Sequence, residues 1–143
     1  MRAAILLLAL GACAAMPPSI FAPAPSGWES VVVEQSETVP AQTDWGSSFD
    51  LNVPARLQID WSIEPGQMIT YILATDAQYQ RAVGNDADMS IQGQDYIRRL
   101  DALRGVGNDV TETLPVGRYI ILMRNTANPG PAHVTIRAVG ARQ

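Results

Sequence analysis

The acidic stretch NDADMS holds the side chains best suited to binding a cation. Asp86 and Asp88 offer carboxylate oxygens in alternation, and Asp95 is near enough in sequence to add another. Calcium favours several such oxygen ligands. The stretch is not an EF-hand loop, because Ile91 stands at the glycine position and Ile97 at the position of the last glutamate. A solvated loop is the favoured interpretation, and a calcium site is the alternative.

The residue types needed for nucleophilic or zinc chemistry do not form a recognisable site. His133 is the single histidine in the chain, and one histidine cannot form a two-histidine metal site. Ser47, His133 and several aspartates have the composition of a hydrolytic triad, but Gly-Ser-Ser-Phe around Ser47 is not a nucleophile elbow. The chain has no lysine, which excludes Schiff-base and phosphate-loop lysine chemistry. We therefore predict a protein that is not an enzyme and has no catalytic residue, metal or cofactor, calcium excepted.

The aromatic residues are numerous enough to build a sugar-stacking platform. Trp61 lies on the apolar face of an alternating segment, which predicts a core position. Trp45 lies in the polar stretch Thr-Asp-Trp-Gly and is the aromatic side chain that a glycan could reach. Burial of Trp45 over the edge of the domain is the favoured interpretation, since tryptophan is highly buried on average. Glycan binding at Trp45 is the alternative.

Cys13 is the single cysteine, and it directly follows a short apolar run that begins after Arg2. A basic residue, an apolar run and small residues have the layout of a secretory signal. Leu10-Gly11-Ala12-Cys13 resembles the lipobox of bacterial lipoproteins, which implies that Cys13 is lipidated and becomes the mature N-terminus. Several acyl chains would make such anchoring stable. The alternative is an ordinary signal cleaved after Ala14 or Ala15, which would discard the thiol.

Composition limits the partners of the chain. The formal net charge is −4, and hydrophobic residues make up 47% of 143 residues. A net negative chain has no general attraction for nucleic acid, so we predict no nucleic-acid partner. The apolar run of the leader is well short of the ~20 residues that a membrane-spanning helix needs. The membrane contact that we expect is therefore made through the lipid anchor.

The N-terminal region divides into two parts ahead of the folded domain. Residues 1–12 are the predicted signal peptide, and residues 13–26 are the lipidation site and a proline-rich tether. Thirteen residues in extended polyproline conformation would span roughly 40 Å. Ile20 and Phe21 are the large apolar residues of this tether, and docking on the domain and contact with lipid are both open for them. Residues 27–143 are the predicted domain.

The domain alternates between short apolar segments and Pro/Gly turns. Strands are predicted at 28–36, 49–53, 57–63, 68–74, 110–114, 118–125 and 132–139, and a further short one at 89–92. A short helix is predicted from Asp76, as N-cap, to just before Gly84. A second helix is predicted over 95–104, because Tyr96, Leu100 and Leu103 recur at helical spacing, and a strand is the alternative for this segment. This pattern predicts an all-β fold, a single antiparallel β-sandwich of six to eight strands with one or two short helices.

Two segments, SFDLNVPARLQIDWSI and ETLPVGRYIILMRNTA, resemble the paired signatures of extracytoplasmic jelly-roll sandwiches. Bacterial pre-peptidase C-terminal domains and the Golgi-dynamics domain are of this type. The matching residues form turns or end strands: Val53-Pro54-Ala55, Pro115, Gly117, Tyr119 and Asn125. The resemblance implies a jelly-roll-like fold and an accessory or binding role, and it carries over no catalytic residue.

Together these observations predict a non-enzymatic, lipid-anchored envelope protein that serves as an interaction or accessory module of an envelope assembly. We expect the membrane and an envelope protein as partners. The resemblance to bacterial lipoproteins implies the outer membrane facing the periplasm, because Ala14 is not the acidic retention signal of that family. A glycan- or calcium-binding module, through Trp45 or through Asp86, Asp88 and Asp95, is the alternative, and a hydrolase is the third and least favoured.

Overall fold

The computed structural model describes residue 21 and residues 28–85 and 96–141. These ranges contain eight strands and one helix, in the order β1 (Trp28–Val39), β2 (Thr43–Leu51), β3 (Arg56–Ile63), β4 (Ile69–Thr75), α1 (Asp76–Asn85), β5 (Arg98–Leu103), β6 (Val106–Val110), β7 (Gly117–Asn125) and β8 (Ala132–Ala141). Sheet I has the strand order β1-β8-β3-β6, and sheet II has the order β2-β7-β4-β5. All strand pairs are antiparallel. The predicted antiparallel β-sandwich is confirmed.

The main core lies between the two sheets and follows the period of two in the strands. Leu57, Ile59 and Trp61 of β3 point inward and are buried, as their alternation with polar residues predicts. The edge strand β6 approaches Trp61 closely at Gly107, where a Cβ atom would lie 2.6 Å from the indole ring. A side chain at position 107 would therefore displace the tryptophan from the core.

A second, smaller core lies on the outer face of sheet II. It consists of Ile72, Ala74, Ile120 and Leu122 from the strands and Ala82 from α1, with Tyr79 and Tyr96 packed against them. β4 and β7 are therefore apolar on both faces, which explains why MITYILA and YIILM read as nearly continuous apolar runs. The helix covers this part of the outer face of sheet II.

Helix α1 begins with a reciprocal cap at Thr75. The backbone N–H of Gln78 donates to Thr75 Oγ1 (3.1 Å), and the backbone N–H of Thr75 donates to Gln78 Oε1 (2.9 Å). This arrangement is a capping box with Thr75 as the N-cap. The prediction of Asp76 as N-cap is wrong by one residue, and the helix continues through Gly84 to Asn85. Asp76 instead lies in the first turn, where a negative charge favours the helix dipole.

The helix predicted over 95–104 is wrong, because this segment supplies strand β5. β5 pairs with β4 at the edge of sheet II, with Leu100 opposite Tyr71 and Leu103 opposite Ile69. Leu100 and Leu103 pack against the main core, whereas Tyr96 packs against the smaller core under α1. The three residues therefore do not share one face, and their helical spacing in the sequence is coincidental.

The two ends of the sandwich differ. The first end holds the β2–β3 and β6–β7 loops, and the second end holds the β1–β2 turn, the β3–β4 turn and the β7–β8 loop. At the second end, the buried Asn125 donates from Nδ2 to the carbonyl oxygens of Val39 (2.8 Å) and Gly130 (2.9 Å). Asn128 donates to Asn125 Oδ1 (2.7 Å) and to the carbonyl of Met68 (2.6 Å). Asparagine side chains thus tie three segments together at this end.

Among the described residues, no helix has the length and apolar character that would let it cross a membrane.

Candidate interaction surface

Several predicted site residues lie outside the described part of the chain. These are Cys13, the predicted lipidation site, and Asp86, Asp88 and Asp95, the predicted oxygen ligands of a calcium site. The predicted strand at 89–92 lies outside it as well. Within the described ranges, no group of three or more His, Cys, Asp or Glu side chains is placed to hold a metal ion. The calcium and lipid assignments stay predictions.

Trp45 lies on β2, opposite Met123 of β7, and its side chain points to the interior of the sandwich. It is partly buried and packs against the main core from the β2 edge of sheet II. The indole is thus placed over the edge of the sandwich, with part of its surface still open to solvent. Glycan binding at Trp45 stays a prediction.

His133 and Ser47 lie in different sheets. His133 is exposed on β8 of sheet I, where Thr38 Oγ1 lies 2.6 Å from its Nδ1. Ser47 lies on β2 of sheet II, opposite Ile121. The structure thus gives the imidazole a threonine hydroxyl on the neighbouring strand as its hydrogen-bond partner.

The first end of the sandwich contains an open cleft of about 270 Å³. The cleft lies where the beginning of β1, the β2–β3 loop and the end of β8 meet. It is lined by aliphatic side chains, glycine and two polar residues: Val32, Asp50, Leu51, Asn52, Val53, Ala55, Gly140 and Ala141. Ligand pockets for drug-sized molecules are generally larger, from about 300 to 1,000 Å³. The cleft is therefore smaller than a typical site for a drug-sized molecule.

Two exposed valines stand at the same end of the sandwich. Val53 in the β2–β3 loop is 58% exposed, and Val116 in the β6–β7 loop is 59% exposed. The loops are held side by side by an antiparallel bridge in which Ala55 and Leu114 exchange backbone hydrogen bonds of 3.0 and 2.8 Å. Tyr119 fixes the second loop by donating its hydroxyl to the carbonyl of Pro115 (2.6 Å). Val53 thus lines the cleft itself, and Val116 lies on the neighbouring loop, which the Ala55–Leu114 bridge joins to the first.

Sequence reasoning did not select Val53 and Val116, although a signal for both is present. Each valine adjoins the proline of a loop, Val53-Pro54 and Pro115-Val116-Gly117. Loops of this type run over the protein surface, so both valines could be expected to be exposed. The resemblance to jelly-roll sandwiches assigned these segments to turn formation, which the bridge and the Tyr119 hydrogen bond confirm.

The outer face of sheet I carries an ion pair that is unexpectedly buried. Asp60 and Arg137 lie opposite each other on β3 and β8, and they are only 6% and 4% exposed. Arg137 donates from Nε (2.9 Å) and Nη2 (2.6 Å) to Oδ2 of Asp60, and Gln58 Nε2 donates to Oδ1 (2.8 Å). The ring of Phe21 lies over the guanidinium, with its centroid 5.1 Å from Cζ. Both carboxylate oxygens are therefore satisfied while the pair is shielded from water.

The seam between β5 and β6 is joined by a second ion pair. Arg98 donates from Nε (2.9 Å) and Nη2 (2.8 Å) to the two carboxylate oxygens of Asp109. These hydrogen bonds raise the pKa of Arg98 above its usual value. Tyr71 is fully buried near this pair, and its hydroxyl has no hydrogen-bond partner among the described residues. Burial, and secondarily the charge of Asp109, raise the pKa of Tyr71 well above its usual value.

Comparison with known proteins identifies the type of fold. No protein-family model matches the sequence, and no curated protein matches it. A solved structure, the pre-peptidase C-terminal domain of a collagenase from Bacillus anthracis, superimposes with a TM-score of 0.50 and 11% sequence identity. The match covers 74% of this chain and 89% of that domain. At this identity the likeness shows the fold alone, and it agrees with the jelly-roll resemblance read from the sequence.

Proposed function

We propose that this protein is a non-enzymatic, lipid-anchored module of the bacterial cell envelope that binds a protein partner at the first end of its sandwich. The lipid would be attached at Cys13, by resemblance to a lipobox, and the location would be the outer membrane facing the periplasm. The observation that carries the binding role is the pair of exposed valines, Val53 and Val116, beside the cleft.

The chemistry of this end favours an extended, apolar segment of a partner. Fully burying an exposed valine side chain contributes about 1.5 kcal/mol. Val53 and Val116 are 58% and 59% exposed, so each can contribute roughly 1 kcal/mol to binding. Their loops are fixed by the Ala55–Leu114 bridge, so little conformational entropy is lost on binding. The neighbouring cleft is large enough to take a side chain of that segment.

The experiment is affinity purification of the full-length, C-terminally tagged protein from detergent-solubilised envelopes. The wild type is compared with Val53→Asp, Val116→Asp and Cys13→Ser, and the recovered proteins are identified and quantified by mass spectrometry. We expect a stoichiometric envelope protein with the wild type and at least a tenfold lower recovery with either valine variant. That factor corresponds to about 1.4 kcal/mol. Cys13→Ser is expected to lose membrane association together with the partner.

Val106→Asp is the matched control, because Val106 is 78% exposed but lies on the edge strand β6, away from the first end. Equal loss of partner with Val106→Asp and with the two loop variants would contradict binding at the first end. If no envelope protein is recovered with the wild type, the proposed role as an interaction module is contradicted. Glycan and calcium binding would then be measured. A Cys13→Ser protein that stays on the membrane would contradict lipidation.

A further inference from the structure

The geometry points to Phe21 as a latch that fastens the anchor-side segment of the chain to the outer face of sheet I. Phe21 is described in the structure on the Arg137 guanidinium, at 5.1 Å from ring centroid to Cζ. In the sequence it belongs to the region predicted as a tether. The latch decides between the two roles that the sequence left open for Phe21, in favour of docking on the domain over contact with lipid.

The burial of the Asp60–Arg137 pair explains why this contact exists. Both residues alternate with core residues of β3 and β8, so their side chains stand on the outward side of sheet I. A charged pair on an outer sheet face is ordinarily open to water, yet these two side chains are almost completely covered. The Phe21 ring provides cover directly over the cation, where its negative face is attracted to the guanidinium.

Pairing with Asp60 also prepares the Arg137 guanidinium to receive the Phe21 ring. Asp60 holds the guanidinium in place, because Nε and Nη2 both donate to its Oδ2, and Gln58 holds the carboxylate by donating to Oδ1. A guanidinium fixed in this way offers its planar face to a ring above it. Phe21 is half-buried there, so the contact removes part of a large apolar ring from water as well.

The latch changes how far the domain stands from its anchor, a consequence that rests on the proposed lipidation of Cys13. Thirteen extended residues, 14–26, would span roughly 40 Å, whereas the seven residues 14–20 between Cys13 and Phe21 span only roughly 22 Å. With Phe21 docked, the outer face of sheet I is held within that shorter distance of the lipid. The latch thereby selects which side of the sandwich lies nearest the membrane.

The test is photocrosslinking in intact envelopes with p-benzoylphenylalanine at position 21 of the full-length chain. Tryptic peptides 57–81 and 125–137 contain Asp60 and Arg137, respectively. We expect intramolecular crosslinks from position 21 to one of these two peptides. Adducts with lipid, or with other proteins in place of these peptides, would overturn the latch. p-Benzoylphenylalanine at the exposed position 106 is the control for nonspecific reaction.

A second measurement avoids the photoreactive side chain, which is larger than phenylalanine and could itself disturb the docking. Phe21→Ala and Val106→Ala are compared with the wild type by thermal unfolding of the full-length protein in detergent. We expect Phe21→Ala to lower the melting temperature by several degrees and Val106→Ala to leave it within one degree. An unchanged melting temperature for Phe21→Ala would overturn the latch. Crosslinking is repeated with Cys13→Ser, where the docking is expected to persist, so that failure of lipidation and failure of the latch are distinguishable.

Discussion

Two buried tyrosines differ in whether their hydroxyl has a partner, and this predicts opposite effects of the same substitution. Tyr71 is 0% exposed, and its hydroxyl has no hydrogen-bond partner among the described residues. Tyr119 is also buried, but its hydroxyl donates to the carbonyl of Pro115 at 2.6 Å. We therefore expect Tyr71→Phe to stabilise the protein and Tyr119→Phe to destabilise it.

The size of each effect follows from the hydroxyl group that is removed. An unpaired buried hydroxyl costs about 1–3 kcal/mol, and Tyr71→Phe removes that cost. The substitution also deletes the dispersion contacts of one oxygen atom, each worth only about 0.1–0.2 kcal/mol, so a net gain of about 1 kcal/mol remains. Tyr119→Phe deletes a made hydrogen bond, worth about 0.5–1.5 kcal/mol net. The two variants should therefore differ by about 2 kcal/mol in the free energy of unfolding.

The assay is equilibrium unfolding in urea of wild type, Tyr71→Phe and Tyr119→Phe, with the m-values compared first. Equal m-values allow the shift in midpoint to be read as a change in stability. Thermal unfolding should show the same signs. The reasoning is refuted if Tyr71→Phe destabilises the protein as much as Tyr119→Phe does. That result would mean that the Tyr71 hydroxyl makes a hydrogen bond in solution, and Asp109→Asn would then test the nearby carboxylate as its partner.

Three further predictions concern stability. Arg137→Ala is expected to destabilise the protein by about 3–5 kcal/mol, because it leaves Asp60 buried without its partner. The double variant Asp60→Leu with Arg137→Met is expected to have a stability close to that of the wild type, and urea unfolding measures both. Gly107→Ala is expected to lower the free energy of unfolding by about 1–3 kcal/mol, because the added Cβ would lie 2.6 Å from the Trp61 ring. Gly130→Ala, where the added Cβ has nothing within 4 Å, is the control that should leave stability unchanged in calorimetry. Burial raises the pKa of both tyrosines discussed above from 10.0, so the stability that their neutral form contributes is complete below pH 10.0 and is lost as the pH rises above it. Phenolate absorbance measured against pH should show Tyr71 ionising only as the protein unfolds.

The strands that the sequence predicted well are those with a clear apolar pattern and well-marked ends. Residues 57–63 alternate apolar and polar, and the structure places a strand at Arg56–Ile63 with the apolar residues in the core. Residues 118–125 and 132–139 were found equally well, because each is bounded by a Pro/Gly turn. In such segments the local pattern and the long-range packing require the same conformation.

The segment 95–104 was mistaken for a helix because its pattern is set by partners that are distant in sequence. β5 forms a strand by pairing with the edge of β4 that β7 does not occupy. The ion pair of Arg98 with Asp109 then joins β5 to the other sheet. Neither fact can be read from the local spacing of Tyr96, Leu100 and Leu103. Tertiary pairing therefore overrode a local helical pattern.

The candidate site was less predictable than the fold, again for a physical reason. The alternation around Asp60 correctly places this residue on the outer face of the sheet, which for an isolated sheet would mean solvent. Its partner Arg137 is 77 positions later in the chain, and Phe21, whose ring lies over that guanidinium, is 39 positions earlier. The loops that carry Val53 and Val116 are likewise joined by the Ala55–Leu114 bridge, between residues far apart in the sequence. The residue types were visible in the sequence, but their juxtaposition was not.

The distribution of stabilising contacts also determines how the binding proposal can be tested. The second end is tied by Asn125 and Asn128, and the β5–β6 seam by Arg98 and Asp109, so these regions contribute to folding. The exposed valines of the first end have little contact to lose, and surface substitutions of this kind usually change stability by less than about 0.5 kcal/mol. A binding defect caused by Val53→Asp or Val116→Asp in a protein of unchanged stability is therefore attributable to the surface itself. The same argument makes the second end unsuitable for such a test, because a variant of Asn125 would lose its fold together with any partner.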